Sequence, residues 1–178
     1  ALWGPDAFSG IINLVPVRGD KVQGVKIVSE IGSYESRGGS LQAGFSRGGW
    51  EGFLFGSGFQ TEGFEHDLHP GERRKDDHFG EFYGRVSYKD MFELSGRYSQ
   101  YRDYYTDPAF LLQGSEFKPF SFVQATINKS FARSSLSLQG WYQNFDSFED
   151  YETTRFEQEN DQWGAELKYD QTLFQENV

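Results

Sequence analysis

The sequence predicts an all-β chain, an antiparallel meander of about eight strands, on three observations. Apolar residues recur with period two from Lys21 onward, and the helical spacing i, i+3, i+4, i+7 is sustained nowhere. The connections between the alternating segments are short and long by turns. Eighteen Phe, ten Tyr and four Trp sit in a chain whose mean hydropathy is −0.67, so the fold must separate rings from charges.

Each strand follows from its own alternation. Val25, Ile27 and Ile31 share one face of the first. "SLQAGFS" sets Leu41, Ala43 and Phe45 against Ser40, Gln42 and Ser46 in the second. The third, "WEGFLFGSGF", is ambiguous in phase, because Phe53 and Phe55 flank Leu54 and both faces carry large apolar groups. "EFYGRVSYK" opposes Phe82, Gly84, Val86 and Tyr88 to Glu81, Tyr83, Arg85 and Ser87. "MFELSGRYSQ" opposes Phe92, Leu94 and Tyr98 to Glu93, Ser95, Arg97 and Ser99. Val123, Ala125 and Ile127 then face away from Gln124, Thr126 and Asn128, and Leu136, Leu138 and Tyr142 from Ser137, Gln139 and Gln143. The last set is Trp163, Ala165, Leu167 and Tyr169 against Glu166, Lys168 and Asp170.

The short connections are "RGG", "KD" and "FARS"; the long ones cover residues 61–78, 104–119 and 145–161 and are charged and aromatic. In a meander this places all short turns at one end and all long loops at the other, the pattern of a transmembrane β-barrel. Strands near ten residues suit a tilted membrane crossing, whereas a soluble β-sandwich, the competing architecture, uses shorter ones. Trp50, Tyr88, Phe92, Phe131, Tyr142, Trp163 and Tyr169 fall near the expected strand ends, where rings anchor a barrel at the membrane interfaces. No run approaches eighteen consecutive apolar residues, which excludes a transmembrane helix.

Composition removes several functions. Without Cys there is no disulfide framework and no thiolate chemistry. A net charge of −10 argues against nucleic acid, which needs clustered cations. The one basic cluster, Arg73 to Lys75, is followed at once by Asp76 and Asp77 and reads as a solvated loop. The first residues lack a basic segment leading into an apolar core, so they are not a signal peptide.

The opening residues then acquire a context. Leu2, Trp3, Gly4, Ala7, Gly10, Ile11, Ile12, Asn13 and Leu14 are turn formers leading into a buried strand, which Pro16 ends. At those spacings the segment resembles the closing motif of the plug domain in TonB-dependent outer-membrane receptors. It departs from the pattern at Trp3, where Tyr is usual, at Ser9, where Gly is usual, and at "VPV". The resemblance implies the C-terminal end of a plug domain and linker over residues 1–18 and the first part of a transmembrane β-barrel over 19–178. The family barrel has twenty-two strands around the plug, so most of the plug is expected before residue 1 and more strands after residue 178. The segment that engages the TonB complex is then absent from this chain.

The residues carry no catalytic constellation and no cofactor motif, and the expected function is not enzymatic. His66, His69 and His78 stand near Glu65, Asp67, Asp76 and Asp77, but a metal site needs a third ligand and fixed geometry; a solvated loop is the plainer reading. The resemblance implies ligand capture by extracellular loops, which points to His66, His69, Arg73 and Arg74, to Tyr101, Tyr104, Tyr105 and Phe110, and to Tyr151 and Arg155. Rings stack on flat or sugar-like ligands and Arg pairs with anions; rings at the outer interface equally serve to anchor a barrel. Glu81, Arg85, Glu93, Arg97, Glu166 and Lys168 are expected inside, against a plug or paired across the lumen. The expected function is uptake of a scarce nutrient, such as a ferric siderophore or corrinoid, at the bacterial outer membrane, with outer-membrane lipid, a large solute and the TonB complex as partners. The alternatives are a self-contained eight-stranded barrel with a structural or adhesive role, and a small outer-membrane hydrolase, for which no Ser is paired with the His residues.

Overall fold

The structure is a computed structural model that describes residues 17, 19–62, 77–107, 112–151 and 154–171. The alternation emerges as eight strands: β1 (Gly24–Ile31), β2 (Arg37–Arg47), β3 (Trp50–Thr61), β4 (Asp77–Tyr88), β5 (Phe92–Asp107), β6 (Leu112–Ser130), β7 (Ser134–Tyr151) and β8 (Thr154–Gln171). They form one antiparallel sheet in the order β1 to β8, each strand pairing only with its sequence neighbours. The sheet is not closed, and β1 and β8 are its edges. No helix occurs among the described residues.

Register joins the separate alternations into two continuous faces, because directly paired residues of an antiparallel ladder project to the same side. Ile27 pairs with Leu41, Leu41 with Gly56, Gly56 with Phe82, and Phe82 with Tyr98. Leu94 pairs with Ala125, Ala125 with Gly140, and Gly140 with Ala165. Every apolar set read from the sequence therefore falls on one face, and every polar set on the other. The ambiguous third strand is resolved by its neighbours. Leu54 pairs with Ala43 on the apolar face, while Phe53, paired with Arg85, turns to the polar side. There Phe53 is 7% exposed and packs against Tyr83, ring centroids 6.1 Å apart.

The three connections read as short, β2–β3, β4–β5 and β6–β7, lie at one end, but the alternation of lengths does not hold: at the other end only β3–β4 is long, while five residues separate β1 from β2, four separate β5 from β6 and two separate β7 from β8. Gly48 and Gly49 join β2 to β3 with φ of 63° and 86°, the two positive values that a two-residue hairpin matching the strand twist requires. The turns are also tied to their neighbours: Lys89 N–H donates to Gly49 O at 2.6 Å, and Asn128 N–H to Met91 O at 2.8 Å. The chain enters at this same end. A Cβ on Gly44 would strike the carbonyl of Val22, so residues 19–22 lie on the polar face above a position that has no side chain.

Two of the three long loops are corrected. Residues 104–119 and 145–161 are mostly strand: β5 continues to Asp107, β6 starts at Leu112, β7 runs to Tyr151 and β8 starts at Thr154. Charge was the sequence signal for a loop, yet a paired strand whose two faces are both polar needs no apolar residues. Cross-strand side-chain pairs sustain it instead. Arg102 lies 5.0 Å over the Phe117 ring, Phe117 stacks on Phe148 at 6.1 Å, and Arg155 lies 5.7 Å over Phe148, a ladder crossing four strands.

Candidate functional site

A single-layer sheet offers its two faces as the only working surfaces, and they differ sharply. The apolar face is a band. On β4 it runs from Tyr88 to Phe82, on β5 from Phe92 to Tyr98, on β7 from Leu136 to Tyr142 and on β8 from Tyr169 to Trp163. Each run spans about 20 Å along the strand, close to the apolar belt of a membrane barrel. Nothing in the sheet covers it: Ile27 is 70% exposed, Leu167 69% and Trp163 82%. Contiguous apolar surface on this scale is not left to water.

Rings bound the band on both sides. Trp50, Tyr88, Phe92 and Tyr169 mark the short-turn side, with Trp50 and Tyr88 in contact at 4.8 Å. Phe82, Tyr98, Tyr142 and Trp163 mark the other, and Phe131 stands in the turn after β6. Tyr142 and Trp163 are not at strand ends, because β7 and β8 continue well past them. Chemistry changes at their level. Tyr142 Oη donates to Asp161 Oδ1 at 2.7 Å, Asn144 Nδ2 donates to the same oxygen at 3.0 Å, and the face beyond is charged.

The opposite face pairs its charges internally. Arg85 Nη2 donates to Glu93 Oε2 at 2.6 Å, with the Arg85 side chain only 13% exposed. Arg97 Nη2 donates to Glu81 Oε2 at 3.0 Å, and Ser57 Oγ donates to Glu81 Oε1 at 3.0 Å. Lys118 meets Glu116 at 2.6 Å and Lys168 meets Asp170 at 3.3 Å. The charges expected inside a lumen thus share one face, where Arg85 and Arg97 pair with carboxylates of a neighbouring strand and Lys168 with one of its own. A shallow depression of ≈520 Å³ is lined by Ser57 and Glu81 together with Ile27, Leu41, Gly39, Gly56 and Gly58, residues that belong to both faces.

Of the residues expected to capture ligand, the structure describes the side chains of Tyr101 and Arg155, and it sets them on opposite faces. Tyr101 is on the polar face and 41% exposed, whereas Arg155 lies on the other face against Phe148. Tyr104, Tyr105 and Tyr151 are strand residues rather than loop residues. His66, His69, Arg73, Arg74 and Phe110, and the plug-like motif from Leu2 to Leu14, lie outside the described residues. Among the described residues no group of three His, Cys, Asp or Glu could hold a metal, and no helix is long and apolar enough to cross a membrane, which says nothing of strands. Sequence reasoning missed the ladder from Arg102 to Arg155, whose members are neighbours only once register is known.

Comparison with protein families, curated proteins and solved structures finds no match.

Proposed function

We propose that this chain is part of a TonB-dependent outer-membrane transporter that takes up a scarce solute too large for passive diffusion, a ferric siderophore, a corrinoid or a compound of similar size. One observation carries the reading: a one-layer meander with a ring-bounded apolar band on one face and internally paired charges on the other. That division suits lipid outside and a filled lumen inside. The opening motif supports the family, and the entry of residues 19–22 over the polar face supports a plug on that side. In this reading residues 1–18 end the plug, further strands complete a twenty-two-stranded barrel, the distal strand ends collect solute, and TonB drives the plug aside. The chain performs no catalysis.

A self-contained eight-stranded barrel fits less well. β1 offers eight residues and β8 eighteen, so pairing the two edges leaves more than half of β8 as an open edge, which a closed barrel would not have. The test is fractionation followed by intact mass of the native protein. Recovery from the outer membrane at several times 20.5 kDa is the expected result. Recovery as a soluble species, or as a membrane protein near 20.5 kDa, overturns the transporter reading.

A further inference from the structure

On the polar face of β7 stands Trp141, whose indole reaches over Gly164 of the neighbouring strand. A Cβ on Gly164 would come within 2.6 Å of indole carbons Cε2 and Cη2, so the ring occupies the space a side chain would otherwise fill. The platform has four amide neighbours and one carboxylate, Glu166. Gln139 and Gln143 flank it along β7, Gln124 stands directly opposite on β6, and Gln162 and Glu166 flank Gly164 on β8. Gln143 Nε2 donates to Gln162 Oε1 at 2.7 Å, which fixes the orientation of both amides and leaves each with further donors and acceptors. Four residues up the strand on the same face, about 13 Å away, Phe145 offers a second ring, 40% exposed, between Phe120 and Asn160.

We infer that this strip of β6 to β8 is a binding subsite for a neutral oligosaccharide. An indole face accepts the C–H face of a pyranose, and an amide, being donor and acceptor at once, matches a pair of vicinal hydroxyls. The spacing between Trp141 and Phe145 exceeds one sugar ring, which calls for linked units. The charges decide against an anion. On the polar face of β4 to β8 the described cations are Arg85, Arg97, Lys118 and Lys168, and each already sits within 4 Å of a carboxylate. An anionic chelate needs free guanidinium or ammonium groups, and binding one here would break existing pairs. The inference rests on the transporter reading and selects among the solutes that reading allows.

The experiment is calorimetric titration of the native protein, purified from membrane in detergent, with neutral hexamers of glucose, mannose, xylose and N-acetylglucosamine, and with a ferric tris-catecholate. One of the sugars is expected to bind. W141A then weakens it about tenfold, W141F retains most of the affinity, and G164A, which tilts the indole without touching a polar group, weakens it as well. Q143A and Q162A each cost about two- to tenfold. Extraction of every variant at the wild-type level shows that the sheet is intact. Binding of none of the sugars, or equal affinity for wild type, W141A and G164A, overturns the subsite. Catecholate binding without sugar binding overturns it while the transporter reading stands; absence from the outer membrane removes that reading first.

Discussion

Leu138→Arg tests whether the apolar face meets lipid. Leu138 pairs with Ile127 on one side and Leu167 on the other, all three about half exposed or more. It lies four residues from the Tyr142 ring, about 13 Å along the strand, and is therefore close to the middle of the band. An Arg on the lipid side of a barrel costs about 2–4 kcal/mol at the bilayer midplane, and this position calls for about 3. In water the same exposed position changes stability by no more than about 0.5 kcal/mol. Gln139→Arg is the internal control, since its neighbour on the polar face includes Glu166 and it never reaches lipid. Guanidinium unfolding of both variants from phosphatidylcholine vesicles gives the two shifts. L138R lower than Q139R by about 3 kcal/mol is expected; equal shifts refute the assignment of the faces.

Arg85→Ala leaves the Glu93 carboxylate without its 2.6 Å partner on a largely covered side chain, and is expected to cost about 3 kcal/mol, with a double-mutant cycle giving coupling above about 1 kcal/mol. The same cycle on Lys168 and Asp170, both 59% exposed, gives less than about 0.5 kcal/mol. Gly48→Ala and Gly49→Ala both force a positive φ on a residue with a Cβ, but only at Gly49 does that Cβ also meet a neighbour, Lys89 Cγ at 3.1 Å; thermal denaturation should show a loss of about 1–2 kcal/mol for each and the larger one for G49A. Phe117→Ala removes the centre of the ladder between Arg102 and Phe148. Hydrogen exchange should accelerate in the distal parts of β6 and β7 and remain slow in the band.

Period-two alternation made the strands and their apolar sets legible, because within the band one side of each strand is almost wholly apolar, Ser121 and Lys129 at its margins on β6 being departures. Where both sides are apolar, as around Phe53, Leu54 and Phe55, one strand cannot state its own phase and the neighbouring register must. Where a lone ring stands among charged and polar residues, as Phe117 does between Ser115 and Lys118 and Phe148 between Asp146 and Asp150, alternation is missing and charge imitates a loop. That error carried another: with β7 and β8 drawn too short, Tyr142 and Trp163 were placed at strand ends. Tyr101 and Arg155 fall on opposite faces through parity accumulated across four strands, which spacing along a sequence does not record.

The way the chain enters the sheet has a mechanical consequence. Residues 19–22 arrive at the short-turn end, and β1 begins there at Gly24, running away from that end beside β2 through eight paired residues. Tension on the incoming segment, directed away from the sheet along the strand axis, therefore loads those pairs in shear and in parallel rather than peeling them one at a time. At the same end the turn after β4 is fastened to the turn before β3, and Met91, just before β5, to Asn128 near the end of β6, so the load spreads sideways into strands that were not pulled. A protein built this way can have whatever precedes Gly19 drawn out with force while its first strand stays in register.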